Sequence, residues 1–350
     1  MVTLPQFTSN LLVRLNQATG RTLALPILIF FPTGRCNSRC VSCDWWKVDG
    51  AGDLTLDEIR RLTEELPALR TRLVTFSGGE PTLRRDVYEI AALFRARGVR
   101  LHLLTSGLFL ERDAAAVAAH FEQVTISLDA HAAAQYQEIR GVDGLGVIER
   151  GVAKLKALSP RTAVRARSTL HRHNFRELPH LIDKAHAMGL DGISFLAADV
   201  TSDAFGRAAE GTLRTASSTS GLLLNADEVE EFGRVVEETI VTRARDFEDW
   251  FVAEAPEKLR RLPQYYAGQR GLDAFPAVRC NAPWASAVVE ADGAVRPCYF
   301  HRAVGNIRER PLREILANEM VVFRRGLKVA QDPTCRRCVC SLQVGLRTAL

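Results

Sequence analysis

The sequence lacks the segments that direct a chain into or across a membrane. Its N-terminus, MVTLPQFTSNLLVRL, has no charged region ahead of an apolar run, so no signal peptide is predicted. The longest apolar run, LALPILIFFP (Leu23 to Pro32), is about ten residues long, whereas a membrane-spanning helix needs roughly 20. We therefore expect a cytoplasmic protein without a membrane partner, in which this run forms a buried strand.

The chain also lacks long runs of one charge, repeats of the solenoid kind and long low-complexity segments. A net charge of +5 with no basic run of five or more residues does not favour nucleic acid as a partner. Hydrophobic residues make up 47% of the sequence and charged residues 25%, which is ordinary globular composition. A length of 350 residues then suggests two domains, at roughly 150 residues for each.

Cysteine is not abundant, but its eight residues are clustered. Cys36, Cys40 and Cys43 lie within the stretch GRCNSRCVSCDWW, with no fourth cysteine nearby. Disulfides are rare in the cytoplasm, so clustered cysteines are expected to bind metal or to take part in chemistry. Thiolates suit zinc or iron–sulfur clusters, and a structural zinc site takes four protein ligands. Three local cysteines therefore indicate a centre that keeps one position open, such as a 4Fe–4S cluster, with zinc or buried free thiols as the alternatives.

Strand-like runs alternate with amphipathic helical stretches over the first 200 residues. This alternation predicts a parallel sheet with helices on its outside. Six units are too few for a closed eight-stranded barrel, so we expect an α/β fold with a partial barrel or an open sheet. Functional residues in such folds lie at the carboxyl ends of the strands. The predicted strands are Pro26 to Phe31, Leu73 to Glu80, Val99 to Gly107, Val124 to Ala130, Ala163 to Leu170 and Asp191 to Ala198.

The motif CNSRCVSC after the first strand and SGGEPTL (Ser77 to Leu83) after the second together resemble the radical S-adenosylmethionine superfamily. The resemblance covers about residues 23–198 and implies a partial (β/α)6 barrel. It implies that Cys36, Cys40 and Cys43 hold a 4Fe–4S cluster whose open iron is chelated by S-adenosylmethionine. Reductive cleavage of that cofactor would give a 5′-deoxyadenosyl radical that takes a hydrogen atom from the substrate.

The same resemblance implies roles for residues on the later strands. Gly78 and Gly79 would let the backbone approach the methionine moiety, and the Glu80 carboxylate would accept from its ammonium group. In SLDA, Ser127 and Asp129 would contact the ribose hydroxyls, unless both only cap the end of a strand.

The fifth strand supplies a further candidate. Arg165, Arg167 and Thr169 share one face by alternation. Arg167 is our candidate for the cofactor carboxylate, with a salt-bridge network inside the barrel as the alternative. His171 and His173 follow this strand and are expected to be exposed loop residues.

One position departs from the family pattern. The residue before the third cysteine is usually aromatic, but here it is Ser42. Trp45 or Trp46 is a candidate for replacing that ring. This departure predicts an unusual substrate side of the site.

From about Phe275 the sequence changes to short strands with a hairpin turn at Asp292-Gly293. The remaining five cysteines lie here, and their spacing resembles the twitch domain, the shortened SPASM domain. That resemblance implies one auxiliary 4Fe–4S cluster, on a small β-hairpin and helix domain, and too few cysteines for a second auxiliary cluster. A structural zinc site remains the alternative because a terminal CxxC is also common in zinc sites. The assigned ligands are Cys280, Cys298, Cys335 and Cys338, with the choice between Cys338 and Cys340 left open.

These features give a provisional division of the chain. Residues 1–22 form an N-terminal extension, 23–200 the barrel, 201–270 a linker with a helical segment, and 271–350 the auxiliary domain. The Ser-, Thr- and Gly-rich part of the linker is Asp199 to Gly221.

The sequence leaves the substrate open. On family frequency we expect modification of a ribosomal peptide, an associational argument. The alternative is dehydrogenation of a small molecule such as a sugar or aminocyclitol, and a non-catalytic iron–sulfur or zinc protein is a third hypothesis. An electron donor such as flavodoxin or ferredoxin is an expected partner. No catalytic acid or base is identified, and the sequence does not say whether S-adenosylmethionine is consumed.

Overall fold

Nine strands form one sheet, in the spatial order β6-β5-β4-β3-β2-β1-β7-β8-β9. The structure is a computed structural model that describes residues 4–207 and 221–348, so most of the predicted linker, Asp199 to Gly221, lies outside the described residues. The strands are β1 (Ile27–Thr33), β2 (Leu73–Gly78), β3 (Arg100–Thr105), β4 (Gln123–Ser127), β5 (Ala163–Leu170), β6 (Ile193–Ala197), β7 (Ser286–Val289), β8 (Ala294–Arg296) and β9 (Gly305–Asn306).

Helices connect the strands and cover the outer face of the sheet. In the barrel part they are α1 (Leu4–Thr19), α2 (Leu56–Leu69), α3 (Val87–Arg95), α4 (Leu110–His120), α5 (Ala133–Arg140), α6 (Leu145–Leu158) and α7 (Leu178–Ala187). Further along the chain they are α8 (Ala226–Thr242), α9 (Ala244–Glu248), α10 (Pro256–Leu259), α11 (Arg261–Gln269), α12 (Ala282–Ala285), α13 (Leu312–Ala317), α14 (Glu319–Gly326) and α15 (Pro333–Arg336). Among the described residues, none of these helices is both long and apolar enough to cross a bilayer.

The six predicted strands are confirmed. Strands β1 to β6 pair in chain order, and every pair is parallel. Each observed strand begins within two residues of its predicted start. The parallel order puts the six carboxyl ends at one edge of a curved sheet, which is the partial barrel that the alternation predicts.

The predicted C-terminal hairpin also forms, but it is not separate from the barrel. Strand β7 pairs with β8 in antiparallel fashion around Gly293, whose φ is +87°. Strand β7 also pairs with β1, and that pairing is parallel. The cysteine-rich C-terminal region therefore extends the barrel sheet at its β1 edge.

Aromatic side chains fill the space between the sheet and its outer helices. Phe76 on β2 lies 5.6 Å from Phe30, 5.5 Å from Phe94 and 5.4 Å from Phe121, measured between ring centroids, all in edge-on arrangements. These four side chains are at most 2% exposed. Outward-facing residues of β1 and β2 thus pack these two strands against α3 and the end of α4. The inward-facing residues of the same strands are available for the site.

The N-terminal helix α1 is anchored through buried asparagines. Asn16 donates to the carbonyl oxygens of Ala24 and Trp284, at 2.7 and 2.8 Å, and Asn10 donates to Leu346 and Thr348. The sequence predicted only an extension here, because the buried face of this helix is largely polar. Helix α1, through Val13, and the C-terminal segment around Val344 therefore pack together on the inward side of β1.

The structure corrects the expectation for His171. This residue is 1% exposed, and the prediction of an exposed loop residue was wrong. Its Nδ1 accepts a hydrogen bond from the His173 amide at 3.2 Å, so the proton sits on Nε2, which is buried and has no hydrogen-bond partner among the described residues. Burial, aided by the nearby His173, lowers the pKa of His171 to about 3.

This buried imidazole gives stability a pH dependence. Below pH 6.5 the unfolded chain binds a proton at His171, whereas the folded chain does not until about pH 3. Stability is therefore lost as the pH falls from 6.5 towards 3, by about 2 kcal/mol at pH 5. Urea unfolding at pH 7.5 and pH 5 is expected to show a smaller loss in His171→Gln, which keeps an acceptor but does not titrate. Equal losses in both proteins would show that another group carries the effect.

Candidate functional site

A large cavity opens at the carboxyl ends of the parallel strands. The space not filled by atoms is about 1410 Å³, including the open mouth. The wall combines the first cysteine loop, the inward face of the sheet and the C-terminal region. From the strands it includes Ser77, Thr125, Ser127, Arg167, Thr169 and Leu196, and from the C-terminal region Tyr299, Phe300, Val339 and Cys340.

The loop after β1 brings the three predicted cysteines together at the cavity. Cys36, Cys40 and Cys43 all line it. The loop is anchored on the end of α5, because the amides of Arg39 and Val41 donate to the carbonyl oxygens of Arg140 and Ile139, at 2.9 and 3.0 Å. The loop is therefore held by backbone hydrogen bonds on both sides of its middle cysteine.

Burial makes these thiols hard to ionise on their own. It raises the pKa of Cys36 to about 11 and that of Cys43 to about 12, and it raises the pKa of Cys40 as well. The Arg140 guanidinium opposes this shift at all three sulfurs. Cysteines that bind metal do so as thiolates, so positive charge at this position favours the ligating form.

Arg140 is held in place by Asp129. Its Nη1 lies 3.0 Å from Asp129 Oδ2, and both side chains are almost buried. The other oxygen, Asp129 Oδ1, accepts from the Thr169 amide at 2.7 Å. The Asp129 carboxylate lines the cavity, but its observed partners are these two protein groups.

The glycine pair after β2 lies flat against the cysteine loop. Gly78 has a φ of +99°, which side chains rarely adopt. A Cβ placed on Gly79 would lie 2.0 Å from the Arg35 carbonyl oxygen. Only glycine at both positions lets this backbone pass so close to the loop that carries Cys36.

Glu80 fixes the next turn of the backbone. Its Oε1 accepts from the Thr82 amide at 3.1 Å and from the hydroxyls of Thr82 and Thr105 at 2.6 and 2.8 Å. Its Oε2 accepts from the Ser106 amide at 2.7 Å. The carboxylate is 1% exposed and lines the cavity, so it joins the ends of β2 and β3 and leaves acceptor capacity only on Oε2.

Ser127 and Arg167 are paired across β4 and β5 and lie side by side on the cavity wall. Arg167 Nε donates to the Ser194 hydroxyl at 3.2 Å. Among the described residues Arg167 forms no ion pair, whereas Arg140 pairs with Asp129 and Arg207 with Asp199. Among the described residues, Arg167 is thus the cavity-lining arginine without a close ion pair, and the buried Glu254 carboxylate is near enough to interact with its charge.

An aromatic ring reaches the cysteine loop from a distant segment. Phe205 follows β6 and lines the cavity with Trp45, while Ser42 lies on the same wall. The Phe205 carbonyl accepts from the Asp44 amide at 2.8 Å and lies 3.6 Å from Cys43 Sγ. Trp46, by contrast, is 39% exposed. Trp45 and Trp46 were the expected replacements for the missing aromatic residue, and of these two Trp45 lines the cavity. Phe205 is a further aromatic residue on the cavity wall, which the sequence did not indicate.

The five C-terminal cysteines form a second group next to the cavity. Burial raises the pKa of Cys280, Cys298, Cys335 and Cys338, and negative charge on neighbouring cysteines of this group, Cys340 among them, raises it further. The Cys338 sulfur lies 3.2 Å from the Cys340 carbonyl oxygen and 3.4 Å from its amide nitrogen. Of these five cysteines, Cys340 is the one that lines the cavity. It is also the one not assigned as a ligand, and it lies between the first cysteine loop and the second cysteine group.

The spacing of the sulfurs differs from that of a zinc site. Four thiolates around zinc at about 2.3 Å are roughly 3.8 Å apart. In the described residues, no three cysteine sulfurs lie within 4.8 Å of one another. Within the described part of the chain, neither cysteine group therefore has three sulfurs as close together as the ligands of one zinc ion.

His301 is a neighbour of the second group that the sequence did not indicate. Its Nε2 lies 3.3 Å from Cys335 Sγ and 3.7 Å from Asp332 Oδ1, and the residue is 8% exposed. It packs edge-on against Phe323 at 4.9 Å. A buried imidazole this close to a sulfur can donate a hydrogen bond to it.

Comparison with known families agrees with this architecture. Residues 30–185 match the model of the radical SAM superfamily, and residues 280–339 match the SPASM iron–sulfur cluster-binding domain. The chain is a radical SAM enzyme. More specifically, it combines a radical SAM barrel with a C-terminal SPASM-type domain, which implies a 4Fe–4S cluster, S-adenosylmethionine and auxiliary iron–sulfur binding as its cofactors.

Two relatives from Methanosarcina barkeri (strain Fusaro / DSM 804) match most of the chain. The Fe-coproporphyrin III synthase is 26% identical over 340 residues, covering 89% of this chain and 80% of its own length. The AdoMet-dependent heme synthase is 26% identical over 299 residues, covering 84% and 82%.

Solved structures share the fold at lower identity. Streptococcus suis SuiB bound to its precursor peptide SuiA has a TM-score of 0.63 at 12% identity, covering 95% of this chain and 74% of SuiB. The anSMEcpe structure with bound AdoMet has a TM-score of 0.61 at 16% identity, covering 91% and 93%. At these identities the likeness establishes the fold alone.

Proposed function

We propose that this enzyme binds S-adenosylmethionine at a cluster held by Cys36, Cys40 and Cys43 and uses it to remove a hydrogen atom from a substrate in the cavity. The observation that carries the proposal is the placement of these three sulfurs, with Arg140 beside them, on one wall of a cavity at the carboxyl ends of the strands. When bound and reduced, the cluster supplies the electron that cleaves the sulfonium of S-adenosylmethionine to a 5′-deoxyadenosyl radical.

The chain's own residues bind and orient the cofactor. Gly78 and Gly79 allow the methionine end to lie against the backbone, and the free acceptor capacity of Glu80 Oε2 faces its ammonium group. Ser127 reaches the ribose, and Arg167 receives the carboxylate. Asp129 contributes by holding Arg140 beside the cysteine loop.

The second cysteine group is proposed to hold one auxiliary 4Fe–4S cluster through Cys280, Cys298, Cys335 and Cys338. The proximity of Cys335 and Cys338 to Cys280 and Cys298 supports this ligand set, and Cys340 lies near Cys280, Cys298 and Cys338 as well. A cluster whose four irons all have protein ligands does not bind substrate directly, so its role is electron transfer or stabilisation of the fold. The position of Cys340 on the cavity wall supports an auxiliary centre close to the substrate.

The substrate wall of the cavity favours a small molecule with an apolar body. Beyond the cofactor side, Asp199 pairs with Arg207 and Glu290 with Arg296, so these charges are compensated. The remaining wall is apolar and aromatic. The relatives that match most of the chain are named for iron tetrapyrroles, which are small molecules of this kind. The side chains on this wall include Phe31, Trp45, Leu196, Val288, Tyr299 and Phe300.

A ribosomal peptide is the second candidate because SuiB, which shares the fold, binds a precursor peptide. The two classes can be separated with a deproteinised extract of the host, added to reconstituted enzyme with S-adenosylmethionine and reductant. We expect the extract to stimulate release of 5′-deoxyadenosine, measured by mass spectrometry, equally before and after digestion with a protease. Stimulation that the protease abolishes would assign the substrate to the peptide class instead.

Replacing Arg167 is expected to weaken cofactor binding. A charge-assisted hydrogen bond contributes about 1.5 to 3 kcal/mol, so Arg167→Gln is expected to bind S-adenosylmethionine roughly 10- to 100-fold more weakly in equilibrium dialysis of the reconstituted protein. Arg165→Gln is the matched control, because Arg165 is two residues earlier on the same strand and donates to the Trp250 carbonyl. Equal affinities in the two variants would remove Arg167 from the site.

Replacing His301 is expected to change the potential of the auxiliary cluster. A hydrogen bond to a ligand sulfur stabilises the reduced cluster and raises its reduction potential. His301→Phe removes the donor and is expected to lower the reduction potential of the auxiliary cluster. This potential is measured by redox titration monitored by EPR. His301→Gln keeps an N–H donor and is expected to restore most of it. An unchanged potential in His301→Phe would mean that the 3.3 Å contact with Cys335 does not affect the cluster.

A further inference from the structure

Two imidazoles and a carboxylate meet beyond the carboxyl ends of β4 and β5. Glu177 Oε2 lies 3.0 Å from His180 Nδ1 and 3.2 Å from His131 Nδ1. The three atoms lie within 4.8 Å of one another. None of the three residues lines the cavity, so this cluster is separate from the cofactor site.

Local structure explains why these side chains converge. Glu177 and His180 lie three residues apart at the start of α7, and this spacing puts two side chains on the same face of a helix. His131 comes from the loop after β4, immediately beyond Asp129 and Ala130. Its ring lies 5.1 Å from that of His180. Two separate segments thus present nitrogen atoms to one carboxylate oxygen.

The internal contacts of the cluster do not satisfy all of its members. His180 Nδ1 forms a hydrogen bond with Glu177 Oε2. His131 Nδ1 faces the same oxygen, but it is inaccessible to solvent and makes no hydrogen bond among the described residues. The ring of His131 is 38% exposed, although this nitrogen is shielded, and its contact with Glu177 is an ion pair only when the ring is protonated. A metal ion bound by all three atoms would give the neutral ring a partner at the same position.

We propose that His131, Glu177 and His180 bind a divalent transition-metal ion, with zinc as its best match. Imidazole nitrogens suit zinc, and two histidines with one glutamate are an established zinc ligand set that leaves one position for water. Ligand atoms around tetrahedral zinc at about 2.0 to 2.1 Å are roughly 3.3 Å apart. The observed separations of 3.0 and 3.2 Å need little adjustment.

Such an ion would fix the position of a segment that the site depends on. Asn174, three residues before Glu177, donates to the carbonyl oxygens of Asp129 and Thr169, at 2.8 and 3.1 Å. A metal between His131 and α7 would fasten the same loop a second time. The loop carries Asp129, whose carboxylate holds Arg140 beside the three-cysteine loop.

Zinc binding by the cluster-loaded protein tests the proposal. The reconstituted protein is titrated with Zn²⁺ in competition with a chromogenic chelator, and wild type is expected to bind one equivalent more than His131→Ala/His180→Ala. The matched control is His173→Ala, because His173 is a half-exposed histidine that faces a single carboxylate, Glu138, at 3.3 Å. This variant is expected to keep the wild-type stoichiometry. Iron content and melting temperature check that all three proteins are folded and loaded alike.

X-ray absorption at the zinc edge identifies the ligands of the one additional zinc ion that wild type binds. A first shell of nitrogen and oxygen at about 2.0 to 2.1 Å is expected, because sulfur ligands would appear near 2.3 Å. Equal zinc stoichiometry in wild type and the double variant would overturn the proposal. A sulfur shell would also overturn it, since the ion would then be bound by cysteines.

Discussion

Replacing Cys36, Cys40 and Cys43 together with alanine is expected to remove half of the iron and all production of 5′-deoxyadenosine. A 4Fe–4S cluster at each cysteine group gives about eight irons per chain, and loss of one group leaves about four. The three sulfurs share one loop and one wall of the cavity, and no other cysteine lies beside them in the sequence. Iron and sulfide analysis after anaerobic reconstitution, with 5′-deoxyadenosine followed after dithionite reduction, measures both effects.

Cys340→Ala is the matched control for this experiment. It also removes a thiol from the cavity wall, but it is expected to keep about eight irons, since Cys338 is the assigned ligand. Cys338→Ala is expected to lose about four. The reverse result for these two variants would transfer the ligand role to Cys340. A triple variant that keeps all its iron would contradict the assignment of the first cysteine group, and zinc in place of the last four irons would make the C-terminal site a zinc site.

The parts of the site that are encoded locally could be predicted from the sequence. The three cysteines, the two glycines and Glu80 are each specified by neighbours within a few residues, and the strand that precedes each motif is a short apolar run. Alternation of strands and helices then brings the motifs to one edge, because parallel strands place their carboxyl ends together. The structure confirms the parallel strand order and brings these residues to one cavity wall, while their roles as ligands and cofactor contacts stay predictions.

Contacts between distant segments could not be predicted in the same way. Arg140 ends a helix with no recognisable motif, yet it lies beside the cysteines through its ion pair with Asp129. Phe205 reaches Cys43 from the loop after β6. Nothing in their local sequence distinguishes these residues from surface or packing residues. Their roles depend on which loops meet, and a single sequence does not specify that.

The N-terminal helix α1 shows a second reason. Pattern-based prediction assumes that the apolar stripe of a helix faces the protein. Here Asn10 and Asn16 are buried, while Leu11 and Leu15 are about two-fifths exposed. Hydrogen bonds from buried amides, rather than apolar contact, hold much of this helix in place. A helix anchored in this way gives no hydrophobic signal on its buried side.

Gly79→Ala is expected to be the most damaging single substitution in the cofactor site. The added methyl group would lie 2.0 Å from the Arg35 carbonyl oxygen and 2.6 Å from its carbon, so the clash is with backbone and no side-chain rotation relieves it. Forcing extra volume into a packed site costs about 1 to 3 kcal/mol, and occasionally more. The cost here falls on two loops, one carrying Cys36 and the other Glu80, so the geometry of the cofactor site changes as well as the stability.

The same substitution at Gly233 separates this steric effect from the general effect of a methyl group. Gly233 lies inside α8, and a Cβ there would meet no atom within 4 Å. Replacing a helical glycine by alanine stabilises a protein by about 0.5 to 1 kcal/mol. We therefore expect Gly233→Ala to melt at or above the wild-type temperature with normal affinity for S-adenosylmethionine, and Gly79→Ala to melt lower and to bind it at least tenfold more weakly. Wild-type affinity in Gly79→Ala would show that the two loops accommodate the methyl group without a change in the cofactor site.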